Sequence, residues 1–216
     1  MNPSTTLRPR LNCIFELVKD AQQNNQYSWI WDCCCDHGYL GIKILHEKLC
    51  DRLIFVDQLP HIISQLAQKL SPFDIGSHRT MVSNAADIRF EINMQHLVIL
   101  AGVGGETIAE IVSSIEKYNP DTQIDYIFCP SSGQQELRAY LIEQGLGVIS
   151  EKLICENKRY YEILYIKGKS STFQMPVVTT QSKLWDTDNE DHQRYLRKIN
   201  TPRKSKKPKR NKVVLE

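Results

Sequence analysis

The stretch at residues 29–41, WIWDCCCDHGYLG, constrains the fold of this chain more than any other. Its bulky opening, Trp29-Ile30-Trp31, suits a strand covered on both faces, and Gly38 permits a backbone conformation and a close approach that a side chain would block. From Tyr39 the spacing turns helical, with Leu40, Ile44, Leu45 and Leu49 on one side, so the loop delivers a helix N-terminus to the same spot. Strand, tight loop and helix in this order predict the first unit of an open α/β sheet, whose binding crevice lies beyond the C-terminal ends of the strands.

The acids around that loop indicate the class of ligand. Residues 52–57 (RLIFVD) read as the second strand and end on Asp57, about 20 residues after the loop, where nucleoside and dinucleotide binders place an acid for ribose hydroxyls. A pyrophosphate loop would want G-x-G-x-x-G, but cysteines hold the first two glycine places and Asp36 would repel phosphate. This disfavours NAD. An acidic loop suits a ligand carrying a cationic amino group and a sulfonium, which describes S-adenosylmethionine.

Along the chain, the apolar residues Leu11, Ile14, Phe15, Leu17, Val18 and Ala21 predict an amphipathic helix before the first strand, covering the sheet edge or the ligand mouth. Arg10 on it is a candidate for phosphate contact or an ordinary surface arginine. A second crossover helix is expected over 60–70 and a short strand over 80–82. The segment Ser83-Asn84-Ala85-Ala86-Asp87 follows, small enough to admit a flat ring, with Asp87 able to accept from an exocyclic amine or to cap a helix. The run HLVILA at 96–101 is the most strand-like in the chain and empties into Gly102-Val103-Gly104-Gly105 before a helix from Glu106. Those glycines imply crowding, either around a ligand or between helix and sheet. A fifth strand at 125–129, a helix at 134–144 and two extended runs at 147–155 and 160–167 complete five parallel strands with a terminal hairpin. Residues 170–183 read as a linker and 185–199 as one polar helix. The expected division is a catalytic domain over 1–168, a linker and short helical extension over 169–202, and a basic tail over 203–216.

The totals set the remaining bounds. A chain of 216 residues with 41% hydrophobic and 24% charged residues suits one α/β domain with a short extension. No apolar run approaches the roughly 18 residues of a membrane span and the N-terminus has no signal-peptide core, so a cytoplasmic location is expected. Seven cysteines, three of them contiguous, read as reduced thiols; without a fourth ligand to join Cys33, Cys35 and His37, no metal site is expected. The net charge of +2 hides an asymmetry. Residues 203–212, from Arg203 to Lys212, hold seven basic residues and no acid, leaving the rest of the chain at −5. Such a tail can hold a nucleic-acid backbone by counterion release or remain solvated.

The motifs DCCCDHGYLG, FVD, NAAD, AGVGG and RYYEI, in this order, resemble the bacterial tRNA adenine N1-methyltransferases of the TrmK type, which modify the adenine at position 22. The resemblance covers roughly residues 7–167. It implies a Rossmann-like class I fold: a mostly parallel seven-stranded sheet with an antiparallel terminal hairpin and helices on both faces. It also implies S-adenosyl-L-methionine as donor and tRNA as acceptor. By matching position, Asp32, Cys34, Asp36, His37, Gly38 and Tyr39 would surround the methionine portion, Asp57 and Gln58 the ribose, and Asn84, Ala86 and Asp87 the adenine, with Ala101 and Gly102 completing the cofactor site. Gly102, Gly104 and Gly105 would border the target base. On chemical grounds Arg10, Tyr160 and Tyr161 are candidates for contact with the substrate, and Asp32 or Asp36, with His37 a weaker candidate, for an acid that stabilises the methylated ring or takes a proton from its amino group. Tyr39 is a further candidate for stacking on the target base. The chain departs from the family pattern at Cys34, where a glycine is usual, at Val103, where methionine is common, and at Cys129-Pro130-Ser131-Ser132, which stands for a Gln-Pro-Asn type sequence. Other readings compatible with the same crevice are a methyltransferase acting on a small molecule or a protein, and a non-catalytic binding module.

Overall fold

The structure is a computed structural model and describes residues 6–169, 175–182 and 188–200. Its contacts divide the chain into two units, Met1–Trp185 and Asp186–Glu216.

The first unit holds a seven-stranded sheet. Strands β1 (Trp29–Cys33), β2 (Arg52–Asp57), β3 (His78–Val82), β4 (Gln95–Ala101), β5 (Gln123–Cys129), β6 (Gly147–Glu156) and β7 (Arg159–Lys167) lie in the order β3-β2-β1-β4-β5-β7-β6. The first five are mutually parallel, and β7 joins β5 and β6 antiparallel. Every residue of β1 is buried, as expected for a strand with helices on both sides. On one face, helices α1 (Pro9–Asn25), α2 (Tyr39–His46) and α3 (Pro60–Leu70) pack Ile14, Val18, Ile44 and Leu66 against Ile30, Phe55, Leu97 and Ile127. On the other, α4 (Gly105–Tyr118) and α5 (Gln134–Glu143) pack Ile108, Val112, Ile115 and Leu137 against Trp31, Val98, Tyr126 and Phe128. This is the Rossmann-like methyltransferase sheet read from the sequence, including its hairpin. Strands β3 and β5 each begin two residues earlier than expected.

The larger difference lies past β7. Residues 175–182 are packed rather than spanning open space: Val148 donates to the carbonyl of Pro176 at 2.7 Å, Gly147 and Val177 form an antiparallel bridge, and Val178 is buried. A buried cation holds the same segment. Arg138 on α5 donates from Nε to Glu162 at 2.6 Å and from one Nη to the carbonyl of Thr179 at 2.7 Å, and its other Nη lies 2.7 Å from Glu151. Arg138 also carries two acids here, because Glu151 and Glu162 are both nearly inaccessible to water. Residues 175–182, inside the stretch read as a linker, are therefore held by backbone hydrogen bonds and by charge.

The second unit contains α6 (Glu190–Asn200), begun by the Asn189 carboxamide accepting from the backbone of Asp191 at 2.9 Å, with acids in its first turn and Arg197 and Lys198 in its last. The basic tail over 203–212 lies outside the described residues.

Candidate functional site

The parallel strands β1, β2, β3 and β4 all end on one side of the sheet, and their loops enclose a crevice of about 760 Å³. Its floor is the end of β1. Asp32 is 5% exposed there and accepts a hydrogen bond from the backbone of Gly41 at 3.1 Å. Lack of water pushes its carboxyl up to about 7, against the pull of the Gly41 N–H and with the help of the negative Asp57. Gly41 is required for this contact, since a Cβ there would lie 2.2 Å from Phe55 and 2.9 Å from the Asp32 carboxylate.

The loop from Cys34 to Gly38 turns over this acid by adopting left-handed backbone at Cys34, Asp36 and Gly38 (φ 56, 47 and 69°). Two of the three are not glycine, which costs energy and implies that the surrounding bonds fix the loop. Those bonds are Gly38 N–H to the Cys35 carbonyl at 2.8 Å and Asp36 N–H to the Asp57 carboxylate at 3.3 Å. Asp57 also accepts from Leu59 N–H at 3.0 Å, so the acid at the end of β2 ties two loops together. Burial and the neighbouring acids hold the thiols of Cys34 and Cys35 protonated, that of Cys34 being raised to about 11, which makes them packing groups rather than nucleophiles. All seven cysteines are unpaired.

Of the residues singled out in the sequence, the crevice is lined by Arg10, Asp32, Cys34, Asp36, His37, Tyr39, Asp57, Gln58, Asn84, Ala86, Ala101 and Gly102. Gly38 does not line it but forms the left-handed N-cap of α2. Asp87 is exposed at the end of the 3-10 turn Ala85–Asp87 and does not line the crevice. Gly104 and Gly105 do not line it either. Gly104 bridges to Ser132, Gly105 donates to the Ser132 carbonyl at 2.8 Å, and a Cβ on Gly105 would fall 1.9 Å from the carbonyl oxygen of Gly133. The crowding at Gly105 is thus between two backbones, the loops after β4 and β5, whereas a Cβ on Gly104 would make only an ordinary contact with the Ser132 hydroxyl at 3.6 Å. Gly102 differs: its φ is 92° and a Cβ there would meet open space. Tyr160 and Tyr161 stand on β7 outside the lining, but the Tyr161 ring lies 5.0 Å from the guanidinium carbon of Arg10, which does reach the crevice. The N-terminal helix therefore covers the ligand mouth as well as the hairpin.

Three side chains on α4, Thr107, Glu110 and Ser114, also line the crevice and were missed in the sequence, as were Leu59 and Ile62. Their polar stripe beside the apolar Ile108, Ile111 and Ile115 reads as an ordinary solvent-facing side of a helix. Among the described residues no group of three or more His, Cys, Asp or Glu side chains could hold a metal ion, and no helix is long and apolar enough to cross a membrane.

The family model described as a methyltransferase domain matches residues 7–164, which includes all of β1 to β5 and the crevice. The chain belongs to the methyltransferase domain family. A search of curated proteins found no match. Among solved structures, this methyltransferase domain is similar to M. capricolum TrmK in complex with S-adenosyl-homocysteine, at 21% identity and a TM-score of 0.70 over 89% of this chain and 83% of that one. It is similar to Streptococcus pneumoniae Sp1610 in complex with S-adenosyl-L-methionine, at 19% identity and a TM-score of 0.65 over 78% and 76% of the two chains. It also resembles the B. subtilis m1A22 tRNA methyltransferase TrmK, at 17% identity and a TM-score of 0.63 over 76% and 67%. At these identities the likeness is one of fold.

Proposed function

We propose that this methyltransferase domain takes S-adenosyl-L-methionine as donor and methylates N1 of an adenine in tRNA. The observation that carries the donor assignment is the trio Asp32, Asp36 and Asp57 around one crevice, with no cation among its lining residues except Arg10 at the mouth and, when protonated, His37. Such a site repels pyrophosphate and attracts a cation. Its volume of about 760 Å³ admits a nucleoside-sized group with room beside it. When bound, the donor supplies an electrophilic methyl group on a positively charged sulfur.

The chain's own residues would do the following. Asp32 and Asp36 hold the amino group and balance the positive sulfur, and Asp57 accepts from the ribose hydroxyls while it keeps the Cys34–Gly38 loop in place. No covalent intermediate with the protein is needed, so the acceleration comes from alignment and exclusion of water. The acceptor enters on the α1 side. There Arg10, backed by the Tyr161 ring, offers a flat cationic surface for an unstacked base, and exposed Tyr39 offers a neutral aromatic one. The amino group of a base methylated at N1 becomes more acidic, and Asp36, 70% exposed in its side chain, would take that proton to solvent. The basic residues 203–212 would add salt-sensitive affinity for the RNA backbone. The likeness to proteins described as TrmK supports the acceptor half of this reading.

Transfer of radiolabelled methyl from the donor to bulk tRNA from a strain lacking the protein, followed by mapping of the modified nucleotide, tests it. Label at N1 of an adenine is the expected outcome. Label only in a small molecule or protein refutes the acceptor assignment, and absence of donor binding by calorimetry refutes the donor assignment.

A further inference from the structure

One wall of the crevice has no role in that reading. Helix α4 turns Thr107, Glu110 and Ser114 toward it, residues three and four apart and hence on one side of the helix. Among the described residues no hydrogen bond or ion pair engages the Glu110 carboxylate. The Ser83–Ala86 segment also lines the crevice, and the Asn84 side chain there already accepts from the backbone of Ala86 at 3.0 Å. Asp87, the acid that the sequence offered for an exocyclic amine, does not line the crevice at all.

A sugar held at Asp57 would carry the ring attached to it toward the rest of the lining, which the small residues of Ser83–Ala86 and the side of α4 share. Ala86 and Ile111 supply apolar surface for the faces of a flat ring, and both line the cavity. The edge of that ring would then meet the Glu110 carboxylate, an acceptor that no hydrogen bond or ion pair engages among the described residues. A purine bearing an amine presents a donor to it, whereas its deaminated counterpart presents a carbonyl oxygen that a carboxylate repels.

We propose that Glu110 is the specificity-determining residue for the purine of the methyl donor, accepting a hydrogen bond from the exocyclic amine in the place expected for Asp87. The assignment rests on the donor reading given above.

Calorimetry of the full chain with two probes, S-adenosylhomocysteine and S-inosylhomocysteine, tests it. Wild-type protein prefers the adenosyl compound by about tenfold or more, the value of a hydrogen bond to a charged group. The Glu110→Ala variant loses that preference to within about threefold, chiefly through weaker binding of the adenosyl compound. Glu110→Gln, which keeps an acceptor oxygen without the charge, falls between, and Asp87→Ala discriminates as wild type does. Glu110 is exposed on its helix, so unchanged thermal unfolding accompanies these effects. Full discrimination by Glu110→Ala, or its loss in Asp87→Ala, overturns the assignment alone. Wild-type protein that binds neither probe overturns the donor reading and the assignment together.

Discussion

Replacing Asp32 with asparagine separates what the buried acid costs the fold from what it does for a ligand. The carboxyl is 5% exposed, accepts one backbone hydrogen bond, and is raised from 3.8 to about 7, mainly by loss of water. At about 1.4 kcal/mol per pH unit, holding the charged form in the folded protein costs about 4 kcal/mol. The folded-state value lies above the unfolded one, so the folded protein keeps its proton through a window, from about 4 to about 7, in which the unfolded chain has lost it. Stability contributed by this group therefore falls as pH rises across that window, and the full penalty is present above it. Asparagine keeps an acceptor for the Gly41 N–H and has no charge to bury. Urea unfolding followed by circular dichroism should give equal stabilities near the bottom of the window and an advantage for Asp32→Asn of up to about 4 kcal/mol above it. Ligand binding should show the reverse. A cationic donor binds the ionised form, so wild-type affinity should rise by up to about tenfold per pH unit below about 7, while the variant binds weakly with little pH dependence. Parallel stability profiles for the two proteins, or donor affinity independent of pH in both, would refute the reasoning.

Other parts of the structure give sharper structural tests. Gly105→Ala would place a Cβ 1.9 Å from the Gly133 carbonyl, a backbone atom that cannot rotate away, and should cost at least about 1–3 kcal/mol, read as a lowered melting temperature. Arg138→Ala leaves Glu151 and Glu162 buried without their cation and should cost about 3–5 kcal/mol, with new protease cleavage within 175–182 as Thr179 loses its donor. Asp57→Ala removes both the acceptor proposed for the ribose and the anchor of the Asp36 and Leu59 amides, and calorimetry should find S-adenosylhomocysteine binding weakened by about tenfold or more. Truncation before residue 203 should reduce tRNA affinity at low salt and flatten its dependence on salt concentration, measured by filter binding.

What the sequence discloses about this protein follows the distance over which each feature is determined. Strand β1, the Gly38 turn and the Asp57 position were legible because each is set by a few consecutive residues: apolar density, one glycine and an acid ending a short strand. The crevice is assembled largely from such strand ends, so much of its lining could be read one strand at a time. Gly105 was misleading because its crowding comes from Gly133, a residue in another loop that no local pattern connects to it. Arg10 and Tyr161 each stand in the sequence as separate candidates for substrate contact, yet their stacking joins the start of α1 to β7 across most of the chain, and only the sheet order brings them together. Glu110 was hidden for a third reason. A polar residue on an amphipathic helix has the same sequence pattern whether it meets bulk water or a cavity, and which one it meets depends on the short turn after β3. That turn stands where a full crossover helix could otherwise have packed against α4. The surroundings of Arg10, Tyr161 and Glu110 are accordingly built from relations between distant elements, which is where sequence motifs carry the least information.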